Sequence, residues 1–157
     1  MRLVLLGNGT HWKVYALCGK EKETCEVLQL LETLEEKRAT KMLSDLQQFV
    51  PNSTRADWVQ MDFSWKLRGT DKILEFRWPT RRGGTPRVYW FYDENRVVVC
   101  SHGVDKKGDT DQQDIDQAEA ARAAYLKAKA IDAIEIVSLE QFELEQTKNE
   151  TPPHEER

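Results

Sequence analysis

The chain has 157 residues, 39% hydrophobic and 32% charged, with a formal net charge of −4. That length fits one compact domain with a modest extension, and the composition is too apolar for a disordered chain. Cys18, Cys25 and Cys100 are odd in number and unsuitably spaced, which speaks against a disulfide framework or a zinc site and for buried reduced thiols.

No stretch approaches the ~20 apolar residues of a membrane span, and the apolar opening is too short for a signal sequence. The expectation is a cytoplasmic chain with no membrane partner. The net charge hides an asymmetry. Residues 131–157 carry −6, which leaves residues 1–130 at +2, and between Trp65 and Lys107 ten Lys/Arg stand against five Asp/Glu. Such a concentration is the footprint a polyanion would meet, with a solvated sheet face as the alternative.

Leu3–Leu6 and Lys13–Cys18 are short apolar runs around Asn8-Gly9-Thr10. Residues 12–18 have strand composition, and the first run either pairs with them or leads into them. From Thr24 the period becomes helical, with Val27, Leu28, Leu30, Leu31, Leu34, Met42, Leu43 and Leu46 recurring. This predicts one long helix, or two with a break near Arg38–Thr40, ending before Pro51. Trp58–Phe63 reads as extended but without clean alternation.

Lys72–Trp78, Arg87–Tyr92 and Val97–His102 read as consecutive antiparallel strands. Alternation puts Ile73, Glu75 and Arg77 on one face and Leu74, Phe76 and Trp78 on the other. It likewise groups Arg87, Tyr89 and Phe91 against Val88, Trp90 and Tyr92. The Pro79–Pro86 loop carries Arg81 and Arg82, and Asp93–Arg96 is a tight turn. Asp109 or Thr110 then caps an Ala-rich helix whose early acids and late bases suit the helix dipole. The helix continues, or re-forms, through Ile134 and Phe142, and the end after Thr147 has no period. The predicted fold class is α+β: a small antiparallel meander packed against N-terminal helices, with a C-terminal helix. The predicted division is a domain over 1–130 and an acidic extension over 131–157.

Taken in order, Leu67-Arg68-Gly69, Glu75-Phe76-Arg77, Arg87-Val88-Tyr89 and His102-Gly103-Val104-Asp105-Lys106-Lys107, then Ala118, Arg122 and Tyr125 on a helix, resemble the phage-derived, HigB-like branch of the RelE toxin superfamily. Val104 stands where that pattern has an aromatic residue, Asp105 precedes the lysine pair, and the usual proline opening the last helix is missing.

The resemblance implies the toxin of a type II toxin–antitoxin module, a ribosome-dependent messenger RNA endoribonuclease that inhibits translation. Its implied partners are messenger RNA, the ribosome and a small helix-turn-helix antitoxin. The RNA's own 2′-hydroxyl is then the nucleophile, and neither metal nor cofactor is needed. Arg77 and Arg87 would hold the phosphate by their planar forks. Lys106, Lys107 and His102 would supply acid–base chemistry or further grip; a lysine serves as a base only if cations or burial depress its pKa. Lys66, Arg68, Arg81, Arg82, Tyr89 and Tyr125 would contact RNA by charge or stacking. For each residue a structural role is the alternative: ion pairing of the arginines with Glu75 or Asp93, and core packing of the tyrosines. A non-catalytic RelE/ParE-fold protein-binding module, either with a topoisomerase-type target or as a phage regulatory protein, is the competing function. In a further variant the acidic end folds back over the basic face.

Overall fold

The computed structural model describes residues 1–19, 21, 23–80, 83–94 and 96–150. They form a seven-stranded sheet between two unequal helical layers. The strands are β1 (Arg2–Asn8), β2 (Lys13–Leu17), β3 (Ser64–Lys66), β4 (Leu74–Arg77), β5 (Thr85–Asp93), β6 (Val97–Lys106) and β7 (Glu135–Ser138). Their spatial order is β3-β4-β5-β6-β2-β1-β7. β3 to β6 form an antiparallel meander, while β2 joins β6, and β7 joins β1, in parallel. The α+β class and the meander follow the sequence expectation; the sheet is wider and mixed, because the first and last strands extend it.

On one face lie α1 (Glu26–Thr33), α2 (Glu36–Ser44), a π-helical turn (Asp45–Phe49) and α3 (Arg55–Gln60). They cover Val14, Ala16, Leu74, Phe76, Val88, Trp90 and Val98. Trp58, Phe63, Phe76 and Trp90 pack there as a stack, with Phe76 4.6 Å from Phe63 and 4.7 Å from Trp90, and Trp58 edge-on to the last two. Such offset and edge contacts add to the burial of these large rings. The other face, with Leu3, Tyr15, Ile73, Tyr89, Phe91 and Val99, is covered by α4 (Gln112–Ala130) through Ala118 and Tyr125. Both alternations expected from the sequence are therefore realised.

Three local expectations are corrected. The helical region breaks at Leu34–Glu35, not near Arg38–Thr40. Trp58–Phe63 is not a strand: Thr54 and Asp57 form a reciprocal capping box, and α3 closes with Phe63 N–H on Trp58 O and Asp62 at φ 53. Side-chain caps and a left-handed closing residue outweigh the β-prone composition. Beyond α4, the Ile134–Phe142 stretch opens as β7 and only then becomes helix, α5 (Leu139–Glu150). The same kind of closing turn ends α4, with Asp132 at φ 53 and Ala133 N–H on Ala128 O. The reversal brings Glu135 N–H to Met1 O, which starts the β1–β7 pairing.

β1 crosses directly over the π-helical turn at Gly7. A Cβ there would meet Leu46 O at 2.7 Å and Gln47 O at 2.8 Å. Backbone carbonyls cannot swing aside as a side chain can, so Gly7→Ala is expected to lower stability by about 1–3 kcal/mol. The check is a fall in the urea midpoint with unchanged slope.

Candidate functional site

The meander delivers its polar residues to the face under the start of α4. Glu75 and Arg77 come from β4, Arg87 and Tyr89 from β5, His102 and Lys106 from β6. Arg77 faces Arg87, Glu75 faces Tyr89, and Tyr89 faces His102 across the strand pairs. His102 reaches this face through an irregularity. The register shifts between Tyr89 and Trp90, so that Trp90 opposes Cys100 and Ser101 is the extra residue. Strict alternation from Val99 would have turned His102 toward the aromatic stack; the bulge turns it toward α4.

Glu75, fully buried, is the hub. It accepts from Arg77 Nε and, at 2.7 Å, from Thr110 Oγ1, and one of its oxygens lies 3.8 Å from Arg87 Nη1. Arg87, 3% exposed, also donates to Gly108 O at 2.9 Å, pinning the turn between β6 and α4. Asp114, on the first turn of α4, bridges His102 Nε2 at 3.3 Å and Lys106 Nζ at 3.1 Å. Lys106 also pairs with Asp111 at 2.8 Å. Ser101 Oγ and His102 Nδ1 lie 2.9 Å apart, and the Tyr89 and His102 rings 4.9 Å apart. Cations and carboxylates therefore alternate: Arg77, Arg87 and Lys106 against Glu75, Asp111 and Asp114.

Protonation follows from this arrangement. Partial burial opposes the charge on Lys106, but Asp111 and Asp114 outweigh it and raise the pKa. Lys106 thus holds its proton, contrary to the depression a lysine base would need. Burial pushes the Tyr89 hydroxyl up to about 12, with Glu75 and Asp114 adding to it, so this phenol stays protonated. Burial holds His102 below its ordinary 6.5, against the pull of Asp114. On acidification the unfolded chain takes this proton first. The stability contributed is therefore full above about pH 6.5 and is lost as pH falls through the folded value. Urea midpoints followed downward from about pH 8 to 5 should show this loss in wild type and a shallower one in His102→Gln.

Arg77 is the cation of the network most open to solvent. Its guanidinium lies 4.5 Å over the exposed Trp65 ring, and its side chain is 27% exposed. Among the described residues its Nη groups make no hydrogen bond, which leaves the fork's outer edge for an anion. Lys107 is exposed one residue past β6, and Lys66 and Arg68 are exposed around the end of β3. Arg81 and Arg82 lie outside the described residues. Tyr125 is not part of the cluster; its hydroxyl donates to Asp93 at 2.7 Å beside Lys129. From sequence, Glu75 stands only as an ion-pair partner, and Thr110 and the acids after it, Asp111 and Asp114, stand as helix-start chemistry. Among the described residues no group of three or more His, Cys, Asp or Glu is placed to hold a metal ion.

Residues 21–123, from before α1 into α4, match the family described as "Phage derived protein Gp49-like (DUF891)". The chain belongs to the phage-derived Gp49-like family. This family is of the RelE/HigB toxin type. The Gp49-like match contains every element of the cluster, whereas β1, β2, β7 and most of α5's side of the sheet lie outside it. None of the curated proteins and none of the solved structures compared with the chain matches it. Among the described residues no helix is long and apolar enough to cross a membrane. The acidic segment does not cover the basic face within the described residues. β7 and α5 sit at the β1 edge, where Arg2 pairs with Glu145 at 2.6 Å and Glu135 at 3.3 Å.

Proposed function

We propose that the chain is the toxin of a type II toxin–antitoxin module, of the HigB-like branch, and that it cuts messenger RNA on the ribosome in the cytoplasm without a metal. The observation that carries this reading is the convergence of Arg77, Arg87, Tyr89, His102 and Lys106 on one face of three adjacent strands. In the reaction the 2′-hydroxyl loses its proton and attacks the adjacent phosphorus. The 5′-oxygen leaves with a proton, giving a cyclic phosphate and a free 5′-hydroxyl. Arg77 meets the phosphate and takes the charge that builds on it. Lys106, protonated beforehand, gives its proton to the leaving oxygen, and neutral His102 takes the proton of the 2′-hydroxyl. Arg87 and His102 lie under α4, so in this reading they meet RNA only when its first turn lifts, whereas Arg77 is reachable without any movement. The antitoxin partner and the RNA contacts of Lys66, Arg68, Arg81, Arg82 and Lys107 belong to the same proposal.

The burial and internal pairing of Arg87 and His102 favour one second reading, a non-catalytic binding module on the same fold. Induced expression separates the two. Translation arrest with primer-extension stops inside translated codons, absent when initiation is blocked, supports the nuclease. DNA damage with intact transcripts, or no growth effect, supports the binding module.

A further inference from the structure

Cys18 directly follows β2, and Cys25 is the residue that precedes α1. Cys18 and Cys25 face each other in an isolated antiparallel bridge. Gly19 N–H donates to Thr24 O at 2.8 Å, so the hydrogen bond falls on the flanking position. The cysteines are thus a non-hydrogen-bonded pair, in which facing Cα atoms lie about 4.5 Å apart and side chains approach most closely. A disulfide accepts Cα separations of roughly 4.4–6.8 Å, so the backbone already has the required spacing. Both thiols are free and belong to one core cluster. Access is unequal. A cavity of about 450 Å³ is lined by Arg2, Cys18, Glu26, Ser101 and Gln117, and Cys25 does not line it.

We propose that Cys18 and Cys25 form a reversible oxidation site that takes a low-molecular-weight disulfide, such as oxidised glutathione, as its oxidant. The Cys18 thiolate attacks one sulfur of the small disulfide, making a mixed disulfide and releasing one thiol. The Cys25 thiolate then attacks Cys18 sulfur and expels the second thiol. Two protein thiols are oxidised by two electrons, one small disulfide is reduced to two thiols, and the two protein protons pass to the released thiols. Burial raises both protein thiols, Cys25 to about 12, and for Cys18 the Arg2 guanidinium works against that burial while Glu135 and Glu145 add to it. Exchange is therefore slow near neutral pH and accelerates as pH rises. The closed ring fixes the start of α1, where Glu26 accepts from Gln117 of α4 at 2.8 Å. This site stands independently of the RNA reading.

The test exposes the folded full-length chain to excess oxidised glutathione, followed by acid quench, intact mass and peptide mapping. The expected wild-type product is lighter by the two thiol hydrogens, carries a Cys18–Cys25 linked peptide, and reverts with dithiothreitol. Cys25→Ala should stop at one glutathione adduct on Cys18, and Cys100→Ala should behave as wild type. Wild-type mapping alone decides the matter if a variant fails to fold. Unmodified thiols in the folded wild type, a persistent glutathione adduct, or a link through Cys100 would each overturn the proposal.

Discussion

Glu75→Ala is expected to cost about 3–5 kcal/mol of folding stability, the loss typical of breaking a buried ion pair from one side. Glu75 is fully buried and receives Arg77 Nε and Thr110 Oγ1, with Arg87 at 3.8 Å. Arg77 retains solvent on its outer edge, but Arg87 does not. Its charge would be left with Gly108 O, Thr85 O and Thr110 Oγ1, all neutral acceptors. Glu75→Gln preserves shape and one acceptor oxygen, so a smaller loss is expected. Replacing both partners, as in Glu75→Leu with Arg87→Met, should recover much of the deficit, since an apolar pair avoids the desolvation of either charge. Urea midpoints of the four proteins check this. A loss below about 1 kcal/mol for Glu75→Ala would mean that water reaches Arg87 and that the hub is not dry.

Under the proposed nuclease function, Arg77→Ala is expected to lower messenger RNA cleavage by about 10²–10³-fold, the usual effect of removing one donor to the charge of a transition state. Stability should change far less, because Glu75 keeps Thr110 and Arg87 and the lost side chain is partly in solvent. Arg77→Lys should fall between the two, retaining a point charge but losing the two-pronged geometry. Arg87→Ala is a poorer probe, since it removes a buried partner of Glu75 and confuses folding with chemistry. The measurement is primer-extension signal at one codon in reconstituted translation, with urea midpoints alongside. Wild-type cleavage by Arg77→Ala would remove the phosphate-holding role from this residue.

Period-two alternation made β4 and β5 legible before the structure. Ile73, Glu75 and Arg77, with Arg87, Tyr89 and Phe91, do share the α4 face because the extra residue at the register shift, Ser101, lies on β6 and leaves both runs unbroken. The side taken by His102 was not legible. One extra residue, Ser101, reverses the parity, and bulges leave no mark in composition. Asp111 and Asp114 were visible as acids at a helix start, which suits the dipole whether or not anything lies beneath. Only the chain path shows that Lys106 and His102 do. β7 was missed because Glu135-Ile136-Val137-Ser138 is as short as a helical turn, and its pairing partner lies at the opposite end of the sequence.

That last pairing bears on how the chain is made. β1 is synthesised well before β7, and it lies between β2 and β7, with Arg2 beside Glu135 and Leu5 beside Ser138. One hydrogen-bonding edge of β1, a strand whose faces carry the apolar Leu3, Val4 and Leu6, therefore stays unpaired until residue 138 has been translated. Open apolar edges recruit foreign strands, and pairing across such a sequence separation is slow to close. β7 and α5 thus arrive after the strands they cover, and a nascent chain stalled before them is exposed to aggregation.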